Sequence, residues 1–106
     1  MIQKYGVKLM NPEKMKNKCS EVSTIMKAIA HPQRLMIMCY LAEGERNVGE
    51  ILELCDISQS QLSQFLNRMQ REKLLKVRKE SQFSFYSIAD KNITKLIQSM
   101  QKIFCN

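Results

Sequence analysis

The spacing of apolar residues predicts an amphipathic helix that begins after Ser58 and ends near Arg71. The positions at i, i+3, i+4 and i+7 are apolar, and they are Leu62, Phe65, Leu66 and Met69. The opposite face carries amides and hydroxyls in its first two turns and arginines behind them. Such a face suits contact with base edges and phosphates in a major groove, and the alternative is a polar surface helix without a partner.

Two longer amphipathic helices are predicted at the ends of the chain. The first begins at Asn11 or Pro12 and ends near Ala30, with apolar positions at alternating spacings of four and three, namely Met15, Cys19, Val22, Met26 and Ile29. The last follows Asp90 and has an apolar stripe of Ile93, Leu96, Ile97, Met100, Ile103 and Phe104. We expect these helices to pair with a second copy of the chain, or else to cover the core of a monomer. Residues 1–11 lack periodicity and predict a loose basic arm before a domain over 12–106.

Three further helices are predicted between these two, the third of them being the helix after Ser58. Pro32 suits the first turn of a second helix, with His31 as its cap, and the apolar run 35–41 predicts that this helix is the most buried element, ending at Gly44. Asn47 and Glu50 form a capping box for a short third helix. After the turn 55–57, Ser58 caps the fourth helix with Gln61 as the expected partner in a second box. Two short helices joined by a tight turn make a helix-turn-helix.

The hydrophobic period changes to two after residue 75, which predicts strands. Polar Lys76, Arg78 and Glu80 alternate with Val77 and Lys79, Ser81 and Gln82 suit a turn, and 83–88 is rich in aromatic residues. A basic two-stranded hairpin directly behind a helix-turn-helix is typical of a wing. The expected fold is therefore mainly α with a two-stranded β-hairpin, in the order α-α-α-α-β-β-α of a winged helix-turn-helix.

Composition and charge favour a nucleic-acid partner. The 106 residues include 17 Lys and Arg against 10 Asp and Glu, a net charge of +7. An acidic membrane surface is the second choice, and a basic protein with neither partner stays open. No apolar run approaches the roughly 20 residues of a membrane span and no signal peptide opens the chain, so we expect a cytoplasmic protein. The chain has no paired catalytic carboxylates, no Gly-rich phosphate loop and no Cys–His dyad, so no enzyme is expected.

From about Met15 to Cys105 the chain resembles the ArsR-type winged helix repressors of bacteria. Four stretches carry the resemblance: 27–35 (KAIAHPQRL), 48–51 (VGEI), 57–64 (ISQSQLSQ) with Leu66, and the wing 77–80 to 85–88 (VRKE, FYSI). One departure is Phe65, where many relatives carry His. We expect that change to alter packing or one backbone contact, and not the mode of binding.

The resemblance implies a homodimer, built through the first and last helices, that binds a partly palindromic operator with its reading helices in successive major grooves. The base-contact candidates that it implies are Gln59, Ser60, Gln61, Ser63 and Gln64, with Ser63 and Gln64 foremost because Gln61 is expected to serve the cap. The implied phosphate or wing contacts are Arg68, Arg71, Arg78, Lys79 and Gln82.

The usual metal sites of the family are not expected here. The stretch 50–54 (EILEL) has leucine at both positions where the arsenic and cadmium sensors carry cysteine, and the single histidine, His31, is not on the last helix. His31 is interpreted as a helix cap. No metal ligand set and no cofactor are therefore predicted.

The chain has four cysteines and no C-x-x-C pair. By themselves, Cys39 in an apolar helix and Cys105 near the terminus are typical of packing or inert residues. The chain looks closest to the BigR/SqrR/HlyU-like dithiol branch of the family, and that resemblance implies that Cys39 and Cys105 are a reactive pair. Linking them through reactive sulfur species or oxidants would release the operator. Cys19 and Cys55 are interpreted as packing residues.

Two other functions stay open at this point. One is a repressor that senses a thiophilic metal, As(III) or Cu(I), through Cys39 and Cys105 with Cys19 as a third ligand. The other is a ligand-independent anti-silencing protein that competes with other DNA-binding proteins.

Overall fold

The computed structural model describes residues 11–105, as five helices and three strands. In chain order they are α1 (Pro12–Ile29), α2 (Pro32–Leu41), β1 (Arg46–Asn47), α3 (Val48–Leu54), α4 (Gln59–Arg71), β2 (Leu75–Glu80), β3 (Phe83–Ile88) and α5 (Lys91–Phe104). The winged helix-turn-helix prediction is confirmed. The predicted basic arm lies outside the described residues, except for Asn11.

Side-chain caps set the beginnings of α1 and α2. The Asn11 side chain accepts a hydrogen bond of 2.9 Å from the Glu13 backbone N–H, and His31 Nδ1 accepts one of 3.2 Å from Gln33. A proline follows each cap, where its missing N–H costs nothing. His31 is therefore a helix cap, as predicted.

Only one of the two predicted capping boxes is complete. In the box before α3, the Asn47 side chain accepts from the Glu50 N–H and the Glu50 carboxylate accepts from the Asn47 N–H, each at 2.9 Å. Before α4, Ser58 Oγ accepts from the Gln61 N–H at 3.1 Å, but within residues 11–105 the Gln61 side chain returns no hydrogen bond. The second capping box was therefore predicted wrongly. The physical reason is that the neutral Gln61 amide is a weaker hydrogen-bond acceptor than the Glu50 carboxylate of the first box.

The sheet has a third strand that the sequence did not predict. Arg46 and Asn47 pair antiparallel with Tyr86 and Phe85 of β3, and the strand order is β1-β3-β2. Two residues are too short to show an alternating pattern. The wing hairpin itself is confirmed, with Ser81 at its tip in the left-handed region (φ 58°).

The core lies where α2, α3, α4 and α5 meet the base of the sheet. Its fully buried side chains are Ile37, Met38, Ile51, Leu62, Leu66, Met69 and Ile97. The helix α2 lies at the centre, yet it is not buried all round, because Met36 on its other face is 44% exposed. Among the described residues, no helix is long and apolar enough to cross a membrane.

Candidate functional sites: a DNA-binding face and a cysteine cavity

The predicted base-contact residues lie together on the outer face of α4. Four of them are exposed and Gln61 is half-buried, while the opposite face of the helix packs into the core; the exposed four are Gln59, Ser60, Ser63 and Gln64. They occupy the first two turns, which is the part of a recognition helix that reaches base edges. The structure thus places the predicted polar residues on one continuous surface.

Phe65 connects this helix to the beginning of α2. The centroid of the Phe65 ring lies 5.3 Å from the centroid of the His31 ring. The guanidinium carbon of Arg34 lies 5.5 Å from the same Phe65 centroid. Arg34 is held in turn by a 2.9 Å hydrogen bond to the Ala28 carbonyl oxygen. The side chain at position 65 therefore packs against another helix and does not add to the polar face of α4.

The predicted phosphate contacts differ in what they touch. Arg68 forms an ion pair with Glu72, with 3.7 Å between Arg68 Nε and Glu72 Oε1. Arg71 and Lys79 make no ion pair with any residue of the described part. Arg78 pairs with two carboxylates, those of Glu45 and Glu80. Arg78 and Lys79 also point to opposite faces of β2, because side chains alternate along a strand. Gln82 is exposed at the tip of the wing.

Glu45 is a residue that sequence reasoning missed. It lies in the loop before β1, 33 residues away from Arg78, and its carboxylate receives two hydrogen bonds from that guanidinium. The hydrogen bond from Arg78 lowers the pKa of the Glu45 carboxyl, with a smaller contribution from the charge of Lys76. An acidic loop residue carries no periodic signal, so only the folded chain reveals this pair.

The structure brings the two predicted reactive cysteines to one cavity. This cavity has a volume of about 460 Å³ and lies between α2 and α5, and we call it the cysteine cavity. Its lining is mostly apolar and comprises Pro32, Leu35, Met36, Cys39, Tyr40, Glu43, Met100, Gln101 and Cys105. Cys105 is exposed and Cys39 is half-buried.

The surroundings of Cys39 favour its neutral thiol. Burial raises the pKa of Cys39, and repulsion from a Cys105 thiolate raises it further. A hydrogen bond from Gln101 acts in the opposite direction, and the Glu43 carboxylate adds a small further increase. Gln101 also donates a 3.3 Å hydrogen bond to the Cys39 carbonyl oxygen, which joins α5 to α2 at this point.

The other two cysteines lie away from the cysteine cavity. Cys19 is exposed on α1, and Cys55 is buried at the end of α3, where burial raises the pKa of its thiol. No three His, Cys, Asp or Glu residues of the described part come together in a way that would hold a metal ion. A three-thiolate site that includes Cys19 is therefore not assembled by residues 11–105 of one chain.

Comparison with known proteins relates this arrangement to bacterial regulators. The sequence model described as "Bacterial regulatory protein, arsR family" matches residues 31–77. A biofilm growth-associated repressor of Agrobacterium fabrum is 38% identical over 91 residues, which are 86% of this chain and 78% of the relative. The transcriptional activator HlyU of Vibrio cholerae is 33% identical over 96 residues, 91% of this chain and 89% of the relative.

Solved structures agree with the sequence relatives. The transcriptional repressor BigR of Xylella fastidiosa has a TM-score of 0.82 at 33% identity, covering 92% of this chain and 99% of that one. A domain of Mycobacterium bovis described as a homodimeric winged helix-turn-helix DNA-binding domain has a TM-score of 0.71 at 26% identity, with 92% and 89% covered. The resemblance stated from the sequence is confirmed: the chain belongs to the arsR family of bacterial regulatory proteins and is a DNA-binding transcriptional regulator with a winged helix-turn-helix.

Proposed function

We propose that the protein is a homodimeric repressor that releases a partly palindromic operator when Cys39 and Cys105 become linked by reactive sulfur species or an oxidant. The observation that carries this proposal is the shared cysteine cavity, because residues 66 positions apart line one space between two helices. The relatives include proteins described as a repressor and as an activator. Repression is the simplest outcome for a protein that covers its operator.

The exposed apolar residues of α1 and α5 support a homodimer. In one chain Met15, Val22 and Met26 are 47%, 38% and 50% exposed, and Ile103 and Phe104 are 70% and 79% exposed. Apolar stripes of this kind mark surfaces that a partner covers, and a second copy related by a two-fold axis is the commonest partner. A two-fold dimer presents two copies of α4 to successive major grooves, which matches a palindromic site.

The outer face of α4 supplies the proposed base contacts. Ser63 and Gln64 are the foremost candidates, with Gln59, Ser60 and Gln61 beside them, and a glutamine amide suits the adenine edge. The proposed backbone and wing contacts are Arg68, Arg71, Lys79 and Gln82. The net charge of +7 supplies non-specific affinity, so that binding weakens steeply with salt.

The proposed chemistry begins at Cys105, because its thiol is exposed. Polysulfide transfers one sulfur to the Cys105 thiolate, which becomes a persulfide while the polysulfide shortens by one sulfur. The Cys39 thiolate then attacks the inner sulfur of that persulfide, forms a disulfide and expels hydrosulfide, so that polysulfide is the two-electron oxidant. If Cys39 also carries a persulfide, formed by a second polysulfide, its terminal sulfur attacks the inner sulfur of the Cys105 persulfide. Hydrosulfide is expelled and the link is a trisulfide. With peroxide, Cys105 is oxidised to a sulfenic acid and one water is released. The Cys39 thiolate then attacks the Cys105 sulfur, forms a disulfide and releases a second water.

A link between Cys39 and Cys105 would displace α4, the proposed reading helix, through α2. It ties the last turn of α2 to the end of α5, and the beginning of α2 carries His31 and Arg34, which pack against Phe65 of α4. A displacement of α2 therefore moves a helix that must fit both grooves of the operator. A coupling of about 1–3 kcal/mol would change the operator affinity about 5- to 150-fold.

The test is an operator titration of the wild type and of the Cys39→Ser and Cys105→Ser variants, each fully reduced, with sodium tetrasulfide and with peroxide. The matched controls are Cys19→Ser and Cys55→Ser. We expect loss of affinity on treatment in the wild type and both controls, and no response in the Cys39 and Cys105 variants. A full response in either of those two variants would overturn the proposal.

Intact mass spectrometry of the same samples separates the alternatives. Loss of two hydrogens, with or without one added sulfur, supports the link. A stoichiometric As(III) or Cu(I) adduct that releases DNA without any link favours the metal sensor. Regulation in cells that is unchanged in the Cys39→Ser/Cys105→Ser double variant favours the ligand-independent protein.

A further inference from the structure

The side chain of Arg78 crosses the three-stranded sheet. Arg78 on β2 lies opposite Phe85 on β3, and Phe85 lies opposite Asn47 on β1. The guanidinium carbon is 4.6 Å from the centroid of the Phe85 ring. Beyond that ring, Nε and Nη2 donate to the two carboxylate oxygens of Glu45 at 3.1 and 2.7 Å. The outer wing strand is thus tied across the middle strand to the loop that precedes β1.

All three nitrogens of the Arg78 guanidinium donate hydrogen bonds to carboxylates. Its remaining nitrogen, Nη1, donates to the Glu80 carboxylate on the same strand. A bidentate Arg–carboxylate pair is among the stronger charged contacts at a protein surface. Stacking over an aromatic ring further fixes the orientation of the guanidinium. A DNA phosphate would have to displace the Glu45 carboxylate to be bound in the same way.

Lys79 is placed differently. It lies on the other face of β2 from Arg78, is exposed, and makes no ion pair with any residue between 11 and 105. Gln82 is exposed at the nearby tip. Within residues 11–105 the wing therefore offers an unpaired cation and an amide close to its end, while the charge of Arg78 is balanced by the carboxylates of Glu45 and Glu80.

The outer half of the wing needs an anchor because only the inner half, with Tyr86, packs against the core. Only Leu75 and Ile88, at its base, are buried, whereas the residues on both sides of the tip are exposed. Isolated two-stranded hairpins are marginally stable in water, and a hairpin that moves loses binding free energy when DNA orders it. A contact that joins β2 to the loop before β1 removes that freedom before DNA binds.

We propose that Arg78 is a positioning residue, anchored by Glu45, that holds the wing at a fixed angle so that Lys79 and Gln82 can contact DNA. Arg78 itself then makes no phosphate contact, in contrast to the role expected from the family resemblance. The inference rests on the DNA binding of the proposed function, but it does not depend on the cysteine link.

The experiment measures the affinity of fully reduced protein for a fluorescein-labelled operator duplex selected in vitro with the wild type. The dissociation constant is measured over a series of salt concentrations for Glu45→Gln, Arg78→Gln, Arg78→Lys and Lys79→Gln, and for the Glu45→Gln/Arg78→Gln double variant. Each lost phosphate contact lowers the slope of log affinity against log salt by about one. The slope therefore separates a positioning residue from a phosphate contact.

We expect Glu45→Gln and Arg78→Gln each to weaken binding about threefold to tenfold with the salt slope of the wild type, a change of about 0.7–1.4 kcal/mol. Arg78→Lys should weaken operator binding nearly as much, since lysine keeps the positive charge but cannot form the bidentate hydrogen bonds of a guanidinium. The double variant should be no weaker than the single variants, because both remove the same contact. Lys79→Gln should lower the slope by about one.

Glu45→Gln decides between the two roles of Arg78. The substitution removes a negative charge, which by itself strengthens binding to DNA. Weaker binding in this variant therefore requires that positioning was lost. Tighter binding with a steeper slope, or a lower slope in Arg78→Gln, would overturn the proposal, since Arg78 would then be a phosphate contact restrained by Glu45.

Amide hydrogen exchange of the DNA-free protein tests the anchor without any DNA. The amides of β2 and β3 should exchange faster in Glu45→Gln and Arg78→Gln than in the wild type, and Lys79→Gln should match the wild type. Unchanged exchange in the first two variants would refute the anchor. If that exchange rises as expected but the wild type selects no duplex, the DNA-binding function has failed and the anchor has not.

Discussion

The rate at which Cys39 and Cys105 become linked should rise steeply with pH. In the proposed chemistry the second step is an attack by the Cys39 thiolate, and only the thiolate is nucleophilic. Burial, which is the largest cause and persists when Cys105 is a persulfide, raises the pKa of Cys39 above its ordinary value of 9.0. A raised pKa makes the thiolate scarcer at every pH below that value, so this step should be slow at neutral pH.

The size of the effect follows from the thiolate fraction. A thiol with a pKa of 9.0 is about 1% ionised at pH 7, and burial shifts Cys39 further towards the neutral thiol. Below its pKa the thiolate fraction grows about tenfold for each pH unit. The logarithm of the linking rate should therefore increase with a slope of about one between roughly pH 7 and pH 8.5.

The assay uses enough tetrasulfide to make persulfidation of Cys105 fast, in a Cys19→Ser/Cys55→Ser background. Samples are quenched with iodoacetamide, and the linked and alkylated forms are quantified by intact mass spectrometry. A rate that is constant over this range, or that has already levelled off at pH 7, would refute the reasoning, because Cys39 would then be ionised at neutral pH.

A matched pair of variants isolates the local charge. Glu43 lines the cysteine cavity and its carboxylate raises the pKa of Cys39, whereas Glu53 is exposed on α3 and does not line the cavity. Glu43→Gln should speed the linking at pH 7, modestly because its effect on Cys39 is the smallest one named. Glu53→Gln should leave the rate unchanged. Equal acceleration in both variants would mean that net charge, and not the cavity, controls the reaction.

Three further variants test the core, the dimer and base recognition. Leu62→Ala should lower the free energy of unfolding by about 2–5 kcal/mol in urea titrations, because the side chain is 0% exposed; a loss below about 1 kcal/mol would contradict this packing. Met26→Glu should shift the protein from dimer to monomer in sedimentation velocity, since it places a charge on the exposed apolar stripe of α1, and an undisturbed dimer would remove α1 from the interface. Gln64→Ala should cost about 1–3 kcal/mol against the selected operator and much less against random DNA; equal losses on both would make Gln64 a non-specific contact.

Much of the fold could be predicted from the sequence because its signals are local. The apolar spacing of α4, the proline after His31 and the Asn47–Glu50 box each depend on residues within one or two turns. Such patterns set where helices begin and which face is buried, whatever the rest of the chain does. The position of Ser63 and Gln64 on the outer face of α4 followed from the same periodicity.

The features that the sequence missed depend on residues far apart in the chain. The strand β1 exists only because β3 offers it a partner. The pairing of Arg78 with Glu45 joins residues 33 positions apart and changes the role we propose for this arginine. Neither spacing nor composition could have shown where that guanidinium lies.

The sequence by itself determined a basic winged helix-turn-helix with a polar outer face on α4, because helical periodicity and caps depend on neighbouring residues. It also supplied two cysteines whose pairing was implied by resemblance alone. Only the tertiary structure decided that α2 and α5 bring Cys39 and Cys105 to one cavity, and that burial there raises the pKa of the Cys39 thiol. The physical reason is that proximity and desolvation are properties of packed helices, and no local pattern encodes them.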